Sequence, residues 1–427
     1  KILLLFFPFF GYIASNLEPY SNTRITSIFY DFVLIIPIYL SVITMKRSHG
    51  YFNMMSINLQ FAFFIFTFLI LIQFFNPYNN LSLIGKLVGL KVWLFYFLLV
   101  PVGFYYIKGK DEILKICKTM SNIAFIPCIV AILQFILAHT IGHEETMNLF
   151  YSPEIARAST QGFGKFDIAP GIQLIRIPST FSYPAQFSNY LLFSFVPALT
   201  AINFSKNKKE KNLYSILIFL IILASIASGI RGMYIYIPIF FIYYWFFNSA
   251  IQKVFKYTLL TFILILIIFI TEFANLDILL NDIKRQFMNY RSSTLKDVSS
   301  YLLNNLAGNG LGTSTPQTIN VTGVRGQIGP NLNESYFFKV IGELGFFGLI
   351  VLFIFYLSIL KFFTKCLKSE NEEIFKTFIS SFIAFYLTMI TINFKSVHID
   401  LFPTNILIYF FLGVILKLNQ INNEQRS

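Results

Sequence analysis

Ile57-Asn58-Leu59-Gln60-Phe61-Ala62-Phe63-Phe64-Ile65-Phe66-Thr67-Phe68-Leu69-Ile70-Leu71-Ile72-Gln73-Phe74-Phe75 carries no charge from end to end. It matches the roughly 20 apolar residues that take a helix across a bilayer core. Its apolar positions run on without the every-second-residue alternation of a membrane β-strand, which excludes an outer-membrane barrel. Comparable runs lie at 2–15, 28–45, 84–106, 119–139, 186–204, 212–229, 231–248, 255–273, 336–360, 374–393 and 402–417. Of the 427 residues, 56% are hydrophobic and 12% charged, where a soluble domain averages roughly 25% charged. This composition excludes a soluble enzyme and predicts an all-α, polytopic integral membrane bundle of about 12 transmembrane helices.

The chain has 33 Lys and Arg against 20 Asp and Glu, a net charge of +13. The basic residues sit between the apolar runs, so they report topology first, and nucleic acid is not an expected partner. Lys46 and Arg47, then Lys108, Lys110, Lys115 and Lys118, then Lys206, Lys208, Lys209 and Lys211, then Lys253 and Lys256, then Lys361, Lys365 and Lys368 occupy every second connection. The short connections between them hold Arg24, Arg231 and Lys395. By the positive-inside rule both termini are cytoplasmic, and the two long connections, 140–185 and 274–335, face outwards.

The expected organisation is therefore helices 1–5 (1–139), a large extracytoplasmic loop (140–185), helices 6–9 (186–273), a second large loop (274–335), and helices 10–12 with a cytoplasmic tail (336–427). Loops of this length exceed what joining helices requires, which directs the search for function to the outer face. In the second loop, Leu276, Leu279, Leu280, Ile283 and Phe287 recur at helical spacing. Leu295, Val298, Leu302, Leu303 and Leu306 repeat the pattern after Ser292 and Ser293, predicting amphipathic helices along the membrane surface. Gly308, Gly310 and Gly312 then mark a turn. Cys117, Cys128 and Cys366 are not placed to cross-link an exported loop.

After that turn comes Asn333-Glu334-Ser335-Tyr336-Phe337-Phe338-Lys339-Val340-Ile341-Gly342-Glu343-Leu344-Gly345-Phe346-Phe347-Gly348. A Gly-rich turn, a polar pair, an aromatic and a helix with E-x-G-x-x-G resemble the signature of the O-antigen polymerase and ligase superfamily. Arg176-Ile177-Pro178-Ser179-Thr180-Phe181-Ser182-Tyr183-Pro184 is similar to that family's Arg-led approach to a membrane helix. Ser228-Gly229-Ile230-Arg231-Gly232 is similar to its Ser-x-Arg-Gly turn, and Arg291 before the glycine turn matches a further family pattern. The resemblance covers mainly residues 170–360. It implies a metal-independent membrane glycosyltransferase, without a cofactor, acting on undecaprenyl-diphosphate-linked oligosaccharide. The ligase pattern has a histidine beside the polar pair and this chain has none there, which favours the polymerase.

Glycosyl transfer from a lipid diphosphate needs positive charge on the departing diphosphate, a proton route from the acceptor hydroxyl and a dry groove for the tail. Arginine suits the first need, because its planar fork binds phosphate oxygens two at a time. Arg176 and Arg231 are the catalytic candidates. Arg291 and Arg325, with Tyr336 and Lys91, are the substrate-binding candidates. Glu334 is the candidate general base, and it reads equally as an ordinary carboxylate at a helix start. Arg231 and Lys91 each have a plainer reading as cations snorkelling to the interface. His398 and Asp400 are expected in a solvated turn. His139, His143 and Glu144 are too few to predict a metal site. The glycine turn follows no parallel strand and is not a nucleotide loop. A ligase, or in another class a lipid-linked oligosaccharide flippase, are the alternatives; the flippase would be expected to carry charges deep in several spans, and few are evident in the sequence. A chain-length regulator and a separate flippase would be the protein partners of a polymerase.

Overall fold

The computed structural model describes residues 7–9, 11–13, 16, 35–43, 55–153, 156, 165–169, 172–230, 232–248, 305–315, 318, 335–394 and 397–426. Their helices are α1 (Ile36–Ile43), α2 (Ile57–Phe74), α3 (Leu83–Tyr106), α4 (Lys110–Thr140), α5 (His143–Phe150), α6 (Pro184–Phe204), α7 (Lys208–Ala227), α8 (Met233–Phe247), α9 (Tyr336–Ser369), α10 (Glu373–Ile392) and α11 (Thr404–Glu424). Among the described residues, eight helices are long and apolar enough to cross a membrane: α2, α3, α4, α6, α7, α9, α10 and α11. The chain is thus a polytopic helical membrane protein. One antiparallel hairpin, β1 (Lys165–Ala169) and β2 (Ile172–Ile175), lies between α5 and α6. The expected span 255–273 and the expected amphipathic helices of the second long loop lie outside the described residues.

The helices begin where local chemistry allows. Ser56 caps α2 by accepting from the Leu59 amide, and Ser82 caps α3 by accepting from the Gly85 amide. Asp111 and Glu112 sit in the first turn of α4, where the helix dipole favours negative charge. Pro184 opens α6 at a position that needs no backbone donor. The observed helices run past their expected ends, α4 starting at Lys110 and α9 ending at Ser369, because Lys and Glu are good helix formers that hydropathy discounts.

The chain forms two compact units, each from discontinuous segments. The first holds α4 to α8, the hairpin and most of α10. It packs α6 against both α4 and α7, and α6 is the most enclosed helix in it. The second holds α2, α3, α9 and α11. There α3 and α11 meet through Gly103 and Gly413: a Cβ on Gly103 would collide with the Phe410 carbonyl, and one on Gly413 with that of Val100. This is the close backbone approach by which small residues join membrane helices. An aromatic core of Phe66, Trp93, Phe97 and Phe355 fills the second unit, with Phe66 and Phe355 stacked at 5.0 Å.

The tenth expected span, 336–360, is a broken helix. At Gly345 the backbone takes φ 79° and ψ 176°, so α9 consists of a short arm, 336–344, and a long arm, 346–369. At about 1.5 Å per residue the long arm rises about 36 Å and spans a bilayer core of about 30 Å by itself. The short arm is buried throughout.

Candidate functional site

The break in α9 frees backbone groups that lipid could not satisfy, and the second unit meets them with the glycine turn. Asn309 N donates to the Gly342 carbonyl at 2.8 Å, Gly310 N to that of Glu343 at 3.2 Å, and Phe346 N to that of Asn305 at 3.1 Å. Gly308, Gly310 and Gly312 all have positive φ, and a Cβ on Gly308 would lie 2.5 Å from the Gly345 amide nitrogen. The turn is held in its place by three amides spaced along the end of α2 and beyond it. Gln73 Nε2 donates to the Ala307 carbonyl at 2.6 Å, Asn76 Nδ2 to that of Gly308 at 3.1 Å, and Asn79 Nδ2 to that of Leu311 at 2.8 Å.

Inside this frame lie charges. Lys339 is 2% exposed and is the only lysine or arginine buried among the described residues. Its ammonium pairs with Asp400 and stands 5.1 Å from the centre of the Trp93 ring. One turn on, Glu343 is 0% exposed. One of its oxygens accepts from Trp93 Nε1 at 2.7 Å, the other from Ser314 N at 3.0 Å and Thr315 Oγ1 at 2.7 Å. Lys339 and Glu343 are four apart, so both project from one face of the short arm. The cluster brings together α3, the glycine turn, the short arm and the α10–α11 connection.

That connection is shaped by Asn393. Its Oδ1 accepts from His398 N at 3.0 Å and Ile399 N at 3.2 Å, and its carbonyl accepts from Tyr336 N at 3.2 Å. The expected solvated turn at His398 and Asp400 is instead packed against the short arm, with His398 buried and Asp400 half-buried beside Lys339. Burial pushes the Asp400 carboxyl up; Lys339 pulls it back and Glu343 pushes it further up. Burial also lowers His398 to about 4. Asn393 Nδ2, Ser314 Oγ and Thr404 Oγ1 are buried without a hydrogen-bond partner among the described residues. Each such group costs about 1–3 kcal/mol and calls for an explanation.

In the first unit the segment carrying Arg176 is clamped. Ile177 N donates to the Ser228 carbonyl at 3.1 Å, and Gly229, at φ 65°, has no room for a Cβ beside the Ile175 carbonyl. Ser179 takes φ 56° and is 0% exposed. Its amide and carbonyl engage the Gln134 side chain at 3.0 and 3.2 Å, its hydroxyl donates to the Pro127 carbonyl at 2.6 Å, and Tyr151 donates to its carbonyl at 2.6 Å. A non-glycine residue with left-handed backbone costs of order 1–3 kcal/mol and persists only where its surroundings impose it.

Of the expected site residues, Glu334, Arg231, Arg291 and Arg325 lie outside the described residues. Arg176 is half-buried against the 228–230 turn, which brings the Arg-led segment to the Ser-x-Arg-Gly segment. Tyr336 is 2% exposed and its hydroxyl accepts from Tyr356 at 3.1 Å. Lys91 is half-buried, two residues before Trp93. The expectation is of few deep charges; among the described residues Lys339 is the only buried lysine or arginine, with Glu343 one turn on in the same helix. Sequence reasoning missed Lys339, Glu343 and Trp93 as a site; the signal was a lysine and a glutamate four apart in an otherwise apolar run. No family model and no curated protein matches the chain.

Proposed function

We propose that the chain is a multi-pass glycosyltransferase of the bacterial cytoplasmic membrane that polymerises repeat units for O-antigen, capsule or a related exopolysaccharide. The observation that carries this reading is the broken helix. The segment resembling the O-antigen polymerase signature encloses one ammonium and two carboxylates behind a glycine turn. Buried ionisable groups in a membrane protein are expensive and serve function by default.

In the proposed reaction an acceptor sugar hydroxyl attacks the anomeric carbon of the growing glycan. The new glycosidic bond forms as the bond to undecaprenyl diphosphate breaks, the diphosphate leaves with the electron pair, and the hydroxyl proton passes to a carboxylate, for which Glu334 is the candidate. Arg176 and Arg231 would receive the diphosphate charge. Purified protein in liposomes with lipid-linked repeat units tests the reading: a ladder of extended products is expected, and its absence with correctly folded protein refutes it.

A flippase is the second reading. Discontinuous helices with charged groups at the break are what secondary transporters use to bind substrate. Deletion separates the two, because loss of a polymerase leaves single repeats on the outer leaflet and loss of a flippase strands them on the inner one.

A further inference from the structure

The ion pair between Lys339 and Asp400 is more than the fold of the second unit requires. The short arm is already fastened at its start by Tyr336 N on the Asn393 carbonyl and at its end by the glycine turn on the Gly342 and Glu343 carbonyls. Tyr336, Phe337, Phe338, Val340 and Ile341 supply apolar packing along its length. In such a setting an ion pair contributes little, because its desolvation offsets its attraction and an apolar pair of similar volume holds a fold as well or better. Charge there acts on geometry instead. Lys339 reaches across to the α10–α11 connection, lies over Trp93 of α3, and shares that ring with Glu343 of its own arm, so one ammonium fixes the rotation of the short arm relative to two other segments.

We propose that Lys339 and Asp400 are positioning residues for the glycosyl transfer, a charged clasp that sets the rotation of the short arm and so of Ser335 at its start. The inference rests on the polymerase reading and adds two residues to it. Neither residue is assigned contact with substrate.

The test is the doubly apolar variant Lys339→Met/Asp400→Leu in the full-length protein, compared with the natural chain for thermal midpoint, for polymerisation of lipid-linked repeats and for hydrogen exchange across 336–344. The expected result is a midpoint equal to or above that of the natural protein, faster exchange in the short arm, and kcat lower by about 100-fold at similar KM, the order that a displacement of about 1 Å at a reacting centre produces. The exchanged pair Lys339→Asp/Asp400→Lys is expected to recover a large part of kcat. Natural activity in the apolar variant would overturn the proposal, as would its failure to fold, since the pair would then be structural. If the natural protein itself does not polymerise, the enzyme reading falls, and the exchange measurement alone decides the clasp: unchanged protection in the apolar variant rejects it.

Discussion

The Glu343 carboxylate accepts from three donors: an indole N–H, a backbone N–H and a hydroxyl. A glutamine there would turn an NH2 towards one of them and leave a buried donor facing a donor, at a cost of about 1–3 kcal/mol. We predict that Glu343→Gln lowers the unfolding temperature in detergent, and that adding Trp93→Phe costs less than the sum of the single changes. Strict additivity would show that the indole bond is not coupled to the carboxylate. His398 gives a second handle. Its folded value of about 4 lies below the unfolded 6.5, so between those pH values the unfolded chain takes up a proton that the folded chain refuses. Stability from this group is complete above pH 6.5 and falls by about 1.4 kcal/mol per pH unit on acidification towards 4. Asp400 acts with the opposite sign above its ordinary 3.8, because the folded state holds its proton more tightly. His398→Gln is therefore expected to flatten the acid-side loss relative to the natural protein. An unchanged slope in thermal melts from pH 7 to 4.5 would remove His398 from the account.

The break in α9 is a property of two elements, the helix and the glycine turn that caps it. Gly345 has a backbone conformation essentially reserved for glycine, and a Cβ there would collide with the Leu306 carbonyl. Gly345→Ala and Gly308→Ala are each expected to cost more than about 3 kcal/mol, or to prevent folding. Gly109→Ala is the control: nothing lies within 4 Å of the added carbon and φ is extended, so a cost within about 1 kcal/mol is expected. Thermal melts of the three variants check this, and a Gly345→Ala protein as stable as the control would deny that the break is required. The break also shows where reading by sequence stops. The spans beginning near residues 57, 84, 119, 186, 212, 336, 374 and 402 are legible, because a long apolar run has one stable form in a bilayer. The interruption is not, since Glu343-Leu344-Gly345 differs from a continuous helix only in one residue's φ and ψ. Nor is the role of Gln73, Asn76 and Asn79 visible, because amides at a helix end look like any connection until their partners, more than 230 positions away, are known.

Taken unit by unit, the molecule keeps together the connections that the charge pattern assigns to one side. In the first unit Lys110 pairs with Glu372 at 2.6 Å and Lys118 with Glu210 at 2.9 Å, joining three lysine-rich connections at one end. The connections of the opposite class meet each other as well: Ile177 with Ser228 in the first unit, and in the second Asn79 with Leu311 and Tyr336 with Asn393. The alternation read from lysine and arginine is thus consistent with the packing inside each unit, while which class faces the cell exterior rests on the positive-inside rule alone. The proposed function depends on that side, because lipid-linked repeats are polymerised where the carrier has already crossed the membrane. Single cysteines at Glu144, which is exposed on α5, and at Asn320 in the second long loop are expected to react with an impermeant maleimide in intact cells. Cysteines at Lys208 and Lys365, both exposed in the opposite class of connection, should react only after permeabilisation. Cys117, Cys128 and Cys366 are buried, so the background is low. The reverse pattern, with Lys365 reached from outside and Glu144 protected, would put the Arg176 segment and the α9 break on the cytoplasmic side and leave the polymerase reading without a substrate.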